Sequence, residues 1–255
     1  MTMKIAASDY DGTLYVDGRV DPEEIAAITR WRSAGNIFGL ATGRDLSLTV
    51  YETDRWGIPF DFLVCLNGAT VYDRDRKNLQ SIDIPDEIMP DLLGHPAIRQ
   101  SLFYQLCAEG LLYLHVNGEE IPPLPHRPPT AMVSFEESLR VKKIQQVAMI
   151  YQDAEECEQC AAALRKSFEN VLSPQRNGRA LDVTRQGVDK STGIATVAAL
   201  SGWSENELLA VGDNLNDIPM LRRFRGFAVE RAEDAVKREA AAVCASVGQM
   251  LDSNR

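Results

Sequence analysis

The stretch IAASDYDGTLY, residues 5–15, runs from an apolar segment into two carboxylates, Asp9 and Asp11, that are separated by one residue. A short apolar run of this kind suits a strand buried on both faces of a parallel sheet. In extended backbone Asp9 and Asp11 share one face and Tyr10 takes the other.

Working outward from this stretch, strand and helix patterns alternate. DPEEIAAITRWRSAG (21–35) predicts a helix with Asp21 as N-cap, Pro22 in the first turn and Gly35 closing it. NIFGLAT (36–42) predicts a strand, RDLSLTVYETDRWG (44–57) a helix and FDFLVCLNG (60–68) another strand. From Lys190 the alternation resumes through KSTGIATVAALSG, ELLAVGD, NDIPMLRRF, GFAVE, AEDAVKREA and AAVCAS. Such a pattern predicts an α/β protein with a Rossmann-like, three-layer core around a parallel central sheet.

The middle of the chain has a different texture. TVYDRDRKNLQSIDI (70–84) and SLFYQLCAEGLLYLHV (101–116) each look like two strands around a polar turn. IPPLPHRPPT (121–130) holds five of the 12 prolines and predicts an extended loop or rim. VAMIYQ, a helix around Cys157 and short strands near VLSPQ and ALDVT follow. The expected organisation is a discontinuous core of residues 1–83 and 183–255, interrupted by an inserted α+β module at 84–182.

Composition bounds the function. The 255 residues are 45% hydrophobic and 25% charged, within the ordinary globular range. A net charge of -10 disfavours nucleic-acid and anionic-membrane partners, which attract clustered Lys and Arg. With no signal-peptide pattern and no membrane-length apolar run, a cytoplasmic location is the expectation. The five cysteines are expected to be reduced, and the lone pair Cys157 and Cys160 in a helical context to be structural. The sequence leaves the oligomeric state open.

Ligands of open parallel sheets bind beyond the carboxyl ends of the strands. Four apolar runs end there in polar residues: Asp9 and Asp11; Thr42, Gly43 and Arg44; Asn67 and Gly68; and Asp213 with Asn216 and Asp217. Lys190 joins them from the start of a helix. Asp9, Asp11, Asp213 and Asp217 in one crevice would repel each other without a cation, and hard oxygen donors suit magnesium. Magnesium usually takes one or two carboxylates, which leaves an aspartate free to act chemically, and aspartyl phosphates are a known outcome. Thr42, Lys190 and the backbone amides near Gly12, Thr13 and Gly43 are suited to hold phosphoryl oxygens, and Asp11 has the reach to move protons. Taken singly, an Asp-Gly turn or a Thr-Gly-Arg triplet is commonplace. Their shared place after successive strands is what carries the reading, with Asn67-Gly68 serving equally well as a plain turn.

With these residues in place, the chain resembles the haloacid dehalogenase superfamily of phosphatases, in the Cof-like branch with an inserted α+β cap. DYDGTL resembles the nucleophile motif, TGR the phosphate-binding threonine motif, DKSTG the lysine motif and GDNLND the acidic metal motif. The resemblance implies Asp9 as nucleophile and magnesium ligand, and Asp11 as general acid and base whose backbone carbonyl also meets the metal. It implies phosphate binding by Thr42, Gly43 and Lys190, magnesium ligation by Asp213, and support of that shell and of Lys190 by Asn216 and Asp217. Arg44, Asn67 and Gly68 match positions near the cap interface and substrate. GFAVERAED (226–234) departs from the Gly-x-Ala-Met-x-Asn-Ala stretch of many relatives, and SVGQM (246–250) from their final Gly-Val-Ala segment.

The implied activity is magnesium-dependent hydrolysis of a small phosphomonoester, preferably a sugar phosphate, through an aspartyl phosphate on Asp9, with the cap closing over the site. A phosphosugar mutase using the same aspartyl phosphate is the alternative, and a non-catalytic regulator that binds a phosphorylated ligand is a remoter one. Tyr104, His115, Asn117, His126, Arg127 and Arg179 are candidate cap side chains, each also compatible with a core or surface role.

Overall fold

A computed structural model describes residues 3–118 and 130–255. The proline-rich stretch 121–129, with His126 and Arg127, lies outside the described residues. By contacts the chain divides into two compact units: Met1–Arg44, Thr49–Gln80 and Asp189–Arg255 form the first, and Asp45–Leu48 with Ser81–Val188 the second.

The first unit is built on an eight-stranded sheet. From one edge the strands are Ala242–Cys244, Arg225–Val229, Leu208–Gly212, Ile5–Ser8, Ile37–Ala41, Phe62–Cys65, Thr70–Asp73 and Asn78–Ser81. The first six run parallel. Thr70–Asp73 returns antiparallel to Phe62–Cys65, so the central sheet is mixed where a parallel one was expected. The reason is the short Leu66–Gly68 turn, which is too brief for the crossover a parallel neighbour requires.

The three central strands, Ile5–Ser8, Ile37–Ala41 and Leu208–Gly212, are buried almost throughout, as continuous apolar runs demand. Their register positions the site. Ser8 lies opposite both Val211 and Leu40, which brings the residues just beyond, Asp9, Thr42 and Asp213, to one end of the sheet.

The helix Pro22–Ser33 begins where expected: the Asp21 side chain accepts from the Glu23 amide, and acidic residues occupy the first turn while Arg30 and Arg32 occupy the last. The helix Lys190–Ser201 has no strongly polar face and is buried over most of its length up to Ala198. Asp189 and Thr192 cap it reciprocally and Gly202 ends it in a left-handed conformation. No helix among the described residues is long and apolar enough to cross a membrane.

The second unit has a six-stranded sheet in the order Thr130–Met132, Leu111–Val116, Phe103–Ala108, Ile144–Ile150, Ala180–Arg185 and Leu172–Asn177. All neighbours are antiparallel except the first pair. The helices Met89–Gly94, Pro96–Gln100 and Ala154–Ser167 contribute to a core that includes Leu92, Ile98, Leu106, Val147, Leu164 and Leu181. Because the strand Ala180–Arg185 pairs along its length with Leu172–Asn177, residues 183–188 group with this unit, beyond the expected boundary at 182.

Cys157 and Cys160 face this core, one turn apart on the same helix. Burial pushes the Cys157 thiol up to about 11 and also raises that of Cys160. All five cysteines are buried and none forms a disulfide.

Candidate active site

Every group of the site is presented by the end of a strand or the start of a helix. Asp9 follows the strand Ile5–Ser8, and its amide donates to the Val211 carbonyl at 2.9 Å. The chain then turns: Leu14 and Tyr15 both donate to the Tyr10 carbonyl, and Gly12 takes a φ of 85°. A Cβ at Gly12 would lie 2.4 Å from Asp213 Oδ2, so only glycine lets this turn approach the acidic loop. Thr13 uses the proximity, donating from Oγ1 to Asp213 Oδ1 at 2.8 Å.

Lys190 reaches the same point from the first turn of its helix. Its ammonium donates to Asp9 Oδ1 at 2.5 Å and to Asp217 Oδ1 at 2.6 Å, and its side chain is 1% exposed. The other oxygen of Asp217 accepts from the amides of Asp213 and Asn214 at 2.9 and 3.0 Å. Asp217 is thus a keystone that fixes both the lysine and the acidic loop. Asn216 donates from Nδ2 to Asn67 Oδ1 at 3.2 Å.

Asp9, Asp213 and Asp217 each offer an oxygen within 4.8 Å of the others. Burial raises the Asp9 carboxyl well above its ordinary value; Lys190 pulls it down, and Asp217 and Asp213 push it up. Asp213 is raised as well, by burial and then by Asp217. Burial would depress the Lys190 ammonium, but Asp217 and Asp9 overcome this and raise it. One buried cation facing three carboxylates leaves the cluster short of positive charge. These hard oxygen donors, with their excess of negative charge, fit magnesium.

Asp11 stands apart from those three carboxylates. Both its oxygens are held by one guanidinium, with Arg44 Nε at 2.8 Å from Oδ2 and Nη2 at 2.6 Å from Oδ1. Arg44 was expected near substrate. Its guanidinium lies over the rings of Tyr10 and Tyr15, at 4.8 and 5.7 Å from their centroids. Its remaining nitrogen, Nη1, is 3.3 Å from Glu52 Oε1. Glu52 was not singled out in the sequence, because an isolated acid in an amphipathic helix has the signature of a solvated face.

Thr42 is buried at the end of its strand, and its Oγ1 accepts from the Arg44 amide at 3.2 Å, with Gly43 between them. Asn67 and Gly68 are buried too, with positive φ of 51° and 102°. A Cβ at Gly68 would lie 2.1 Å from the Asp189 carbonyl oxygen, so the turn packs against the residue that caps the Lys190 helix. The pair makes a turn and a backbone contact that help seat Lys190.

Among the cap candidates, three side chains have structural partners within their own unit. Tyr104 Oη lies 2.7 Å from Ser138 Oγ, His115 Nδ1 lies 3.0 Å from the Val133 carbonyl, and Asn117 donates to the carbonyls of Ile98 and Ser101. Arg179 is exposed.

In this α/β unit acidic groups at the carboxyl ends of strands meet a lysine from the start of a helix, and comparison with known proteins gives its class. The family of haloacid dehalogenase-like hydrolases matches residues 6–249, and the chain belongs to that family. It is 26% identical over 261 residues to the pyridoxal phosphate phosphatase YbhA of Escherichia coli, covering 94% of this chain and 92% of that one. It is 25% identical over 245 residues to the 5-amino-6-(5-phospho-D-ribitylamino)uracil phosphatase YcsE of Bacillus subtilis, covering 93% and 88%. In fold it is similar to a haloacid dehalogenase-like hydrolase from B. subtilis, with a TM-score of 0.84 over 98% of this chain and 99% of that one, at 19% identity.

Proposed function

We propose that this protein is a magnesium-dependent phosphomonoesterase that hydrolyses a small phosphorylated metabolite through an aspartyl phosphate on Asp9. The observation that carries the reading is the buried ion pair of Lys190 with Asp9, with Asp213 and Asp217 beside it. The relatives named above are phosphatases of small metabolites, which supports the reaction class. A sugar phosphate is the preferred substrate class.

In this reading an oxygen of Asp9 attacks phosphorus, the ester P–O bond breaks, and the departing alkoxide takes a proton from Asp11. In the second half-reaction Asp11 takes a proton from water, whose oxygen attacks the same phosphorus. The bond to Asp9 breaks, releasing inorganic phosphate and restoring the carboxylate. Lys190 has three N–H donors, and two serve Asp9 and Asp217, leaving the third for a phosphoryl oxygen. Thr42 and the Gly43 amide hold the remaining oxygens. Asp9, Asp213 and the Asp11 carbonyl would hold magnesium, which supplies positive charge against the phosphoryl group. Asp217 orients Lys190.

The test is phosphate release from sugar phosphates, pyridoxal phosphate, nucleotides and phosphorylated acids, with and without magnesium. Release that requires magnesium and disappears in Asp9→Asn supports the reading. Silence on every monoester, or full activity of Asp9→Asn, rejects it. Isomerised sugar phosphate without free phosphate would instead identify a mutase.

A further inference from the structure

Glu52 lies on the helix Leu46–Trp56, away from the phosphate-handling groups, yet its carboxylate is one of the most fully engaged in the first unit. Oε2 accepts from the Tyr10 hydroxyl at 2.9 Å and from Trp56 Nε1 at 2.9 Å, while Oε1 faces Arg44 Nη1 at 3.3 Å. Its side chain is only 10% exposed. Buried carboxylates are retained where such donors surround them. Glu52 is held ionised: burial works against this, but the bonds from Tyr10 and Trp56 and the charge of Arg44 prevail.

Arg44 sits between two carboxylates that it treats differently. Its Nε and Nη2 grip both oxygens of Asp11 in a fork, and Nη1 turns to Glu52. The rings of Tyr10 and Tyr15, stacked 5.3 Å apart, flank it. A long, flexible side chain is thereby fixed at both ends of its head group. The fork consumes one acceptor direction on each Asp11 oxygen and leaves another open. The Asp11 side chain remains 40% exposed, so water reaches it.

We infer that Glu52 is a positioning residue: by anchoring the Arg44 guanidinium from behind, it orients the Asp11 carboxylate for proton removal from water in the second half-reaction. The inference rests on the reading of Asp11 as the acid and base given above. The bland alternative is that Glu52 merely satisfies Tyr10 and Trp56. The two differ in what Glu52→Gln does, because the amide oxygen can still accept from both donors whereas the ion pair with Arg44 is lost.

The experiment follows p-nitrophenyl phosphate, whose leaving group needs no acid, through the first turnover and into the steady state. With Asp11 poorly oriented, formation of the phosphoenzyme is spared and its hydrolysis is slowed. For Glu52→Gln we expect the ratio of first-turnover to steady-state rate to rise about tenfold, as outer-shell partners commonly produce, with kcat/KM within about twofold because slowing only the second step lowers kcat and KM together. Arg44→Lys, which keeps charge and loses the fork, should raise the ratio likewise. Asp11→Asn should raise it further, with steady-state loss on the order of 10²- to 10⁴-fold.

An unchanged ratio in Glu52→Gln, with Asp11→Asn behaving as stated, overturns the inference and leaves the function intact. A fall of both rates together, with a lowered melting temperature, assigns Glu52 a structural role and also overturns it. Wild-type turnover by Asp11→Asn overturns the reading of Asp11 itself.

Discussion

Lys190 Nζ lies 2.5 Å from Asp9 Oδ1, across 181 residues of sequence, and 2.6 Å from Asp217 Oδ1. The three groups form a buried chain of alternating charge in which the lysine is the only cation. Its ammonium offsets carboxylate repulsion, and in the proposed mechanism its third N–H is the donor to phosphate.

Removing that cation exposes the imbalance. Lys190→Ala should destabilise the protein by about 3 to 5 kcal/mol, the usual consequence of breaking a buried pair from one side. Urea unfolding measures it. The double variant Lys190→Ala/Asp217→Asn should recover part of the loss, because it removes one of the stranded charges; no recovery would mean that the lysine acts through packing alone.

Magnesium should stabilise the protein more at neutral than at mildly acidic pH. Asp9 and Asp213 have raised carboxyl values, so the folded state holds protons that the unfolded chain releases. Their contribution to stability is present below the ordinary carboxylate value and is lost as pH rises through the raised ones. Magnesium competes with those protons. The rise in melting temperature on adding magnesium should therefore be larger at about pH 7.5 than at about pH 5, and saturating metal at about 100 times its Kd should add about 2.7 kcal/mol. Equal shifts at both pH values would contradict the crowding of charge.

Gly68→Ala should be among the most damaging small substitutions. A Cβ there would stand 2.1 Å from a backbone oxygen of Asp189, and φ of 102° already disfavours any side chain. Neither strain relaxes by a side-chain rotation. Destabilisation of about 2 to 4 kcal/mol is expected in urea unfolding. The same variant should lower phosphatase activity, since the Asp189 carbonyl precedes Lys190. Gly18→Ala is the control: its φ is 80°, but nothing lies within 4 Å of the added atom, so its effect should be the smaller.

The thiols should be inert in the native protein. All five are buried, and burial pushes Cys157 and Cys244 up to about 11. Labelling by a thiol-specific disulfide reagent near neutral pH should follow unfolding and yield five thiols only in denaturant. A rapidly labelled pair in the native state would contradict the structural assignment of Cys157 and Cys160.

Much of the site was legible along the chain because its parts obey local rules. Asp9, Thr42 and Asp213 each directly follow an apolar strand, and in a parallel sheet the residues after adjacent strands come together. Capping of the first helix by Asp21 and its close at Gly35 were equally readable from composition and spacing. The helix Val247–Asn254 was not: it is short and follows an edge strand, and its partner across the surface, Glu24, donates no local signal.

The sequence by itself determined which chemical groups stand at strand ends, since the alternation of apolar runs and helices encodes the sheet and its ligand-binding edge. It also determined the excess of acid over base at those strand ends. Only the tertiary structure decided how those groups divide: Asp217 serves Lys190 and the acidic loop, Asp11 is gripped by Arg44 apart from the other carboxylates, and Glu52 stands behind that grip. The physical reason is that a charge pair depends on where side chains meet across sheet and helix, and nothing in the spacing of Asp11, Arg44 and Glu52 along the chain specifies that meeting.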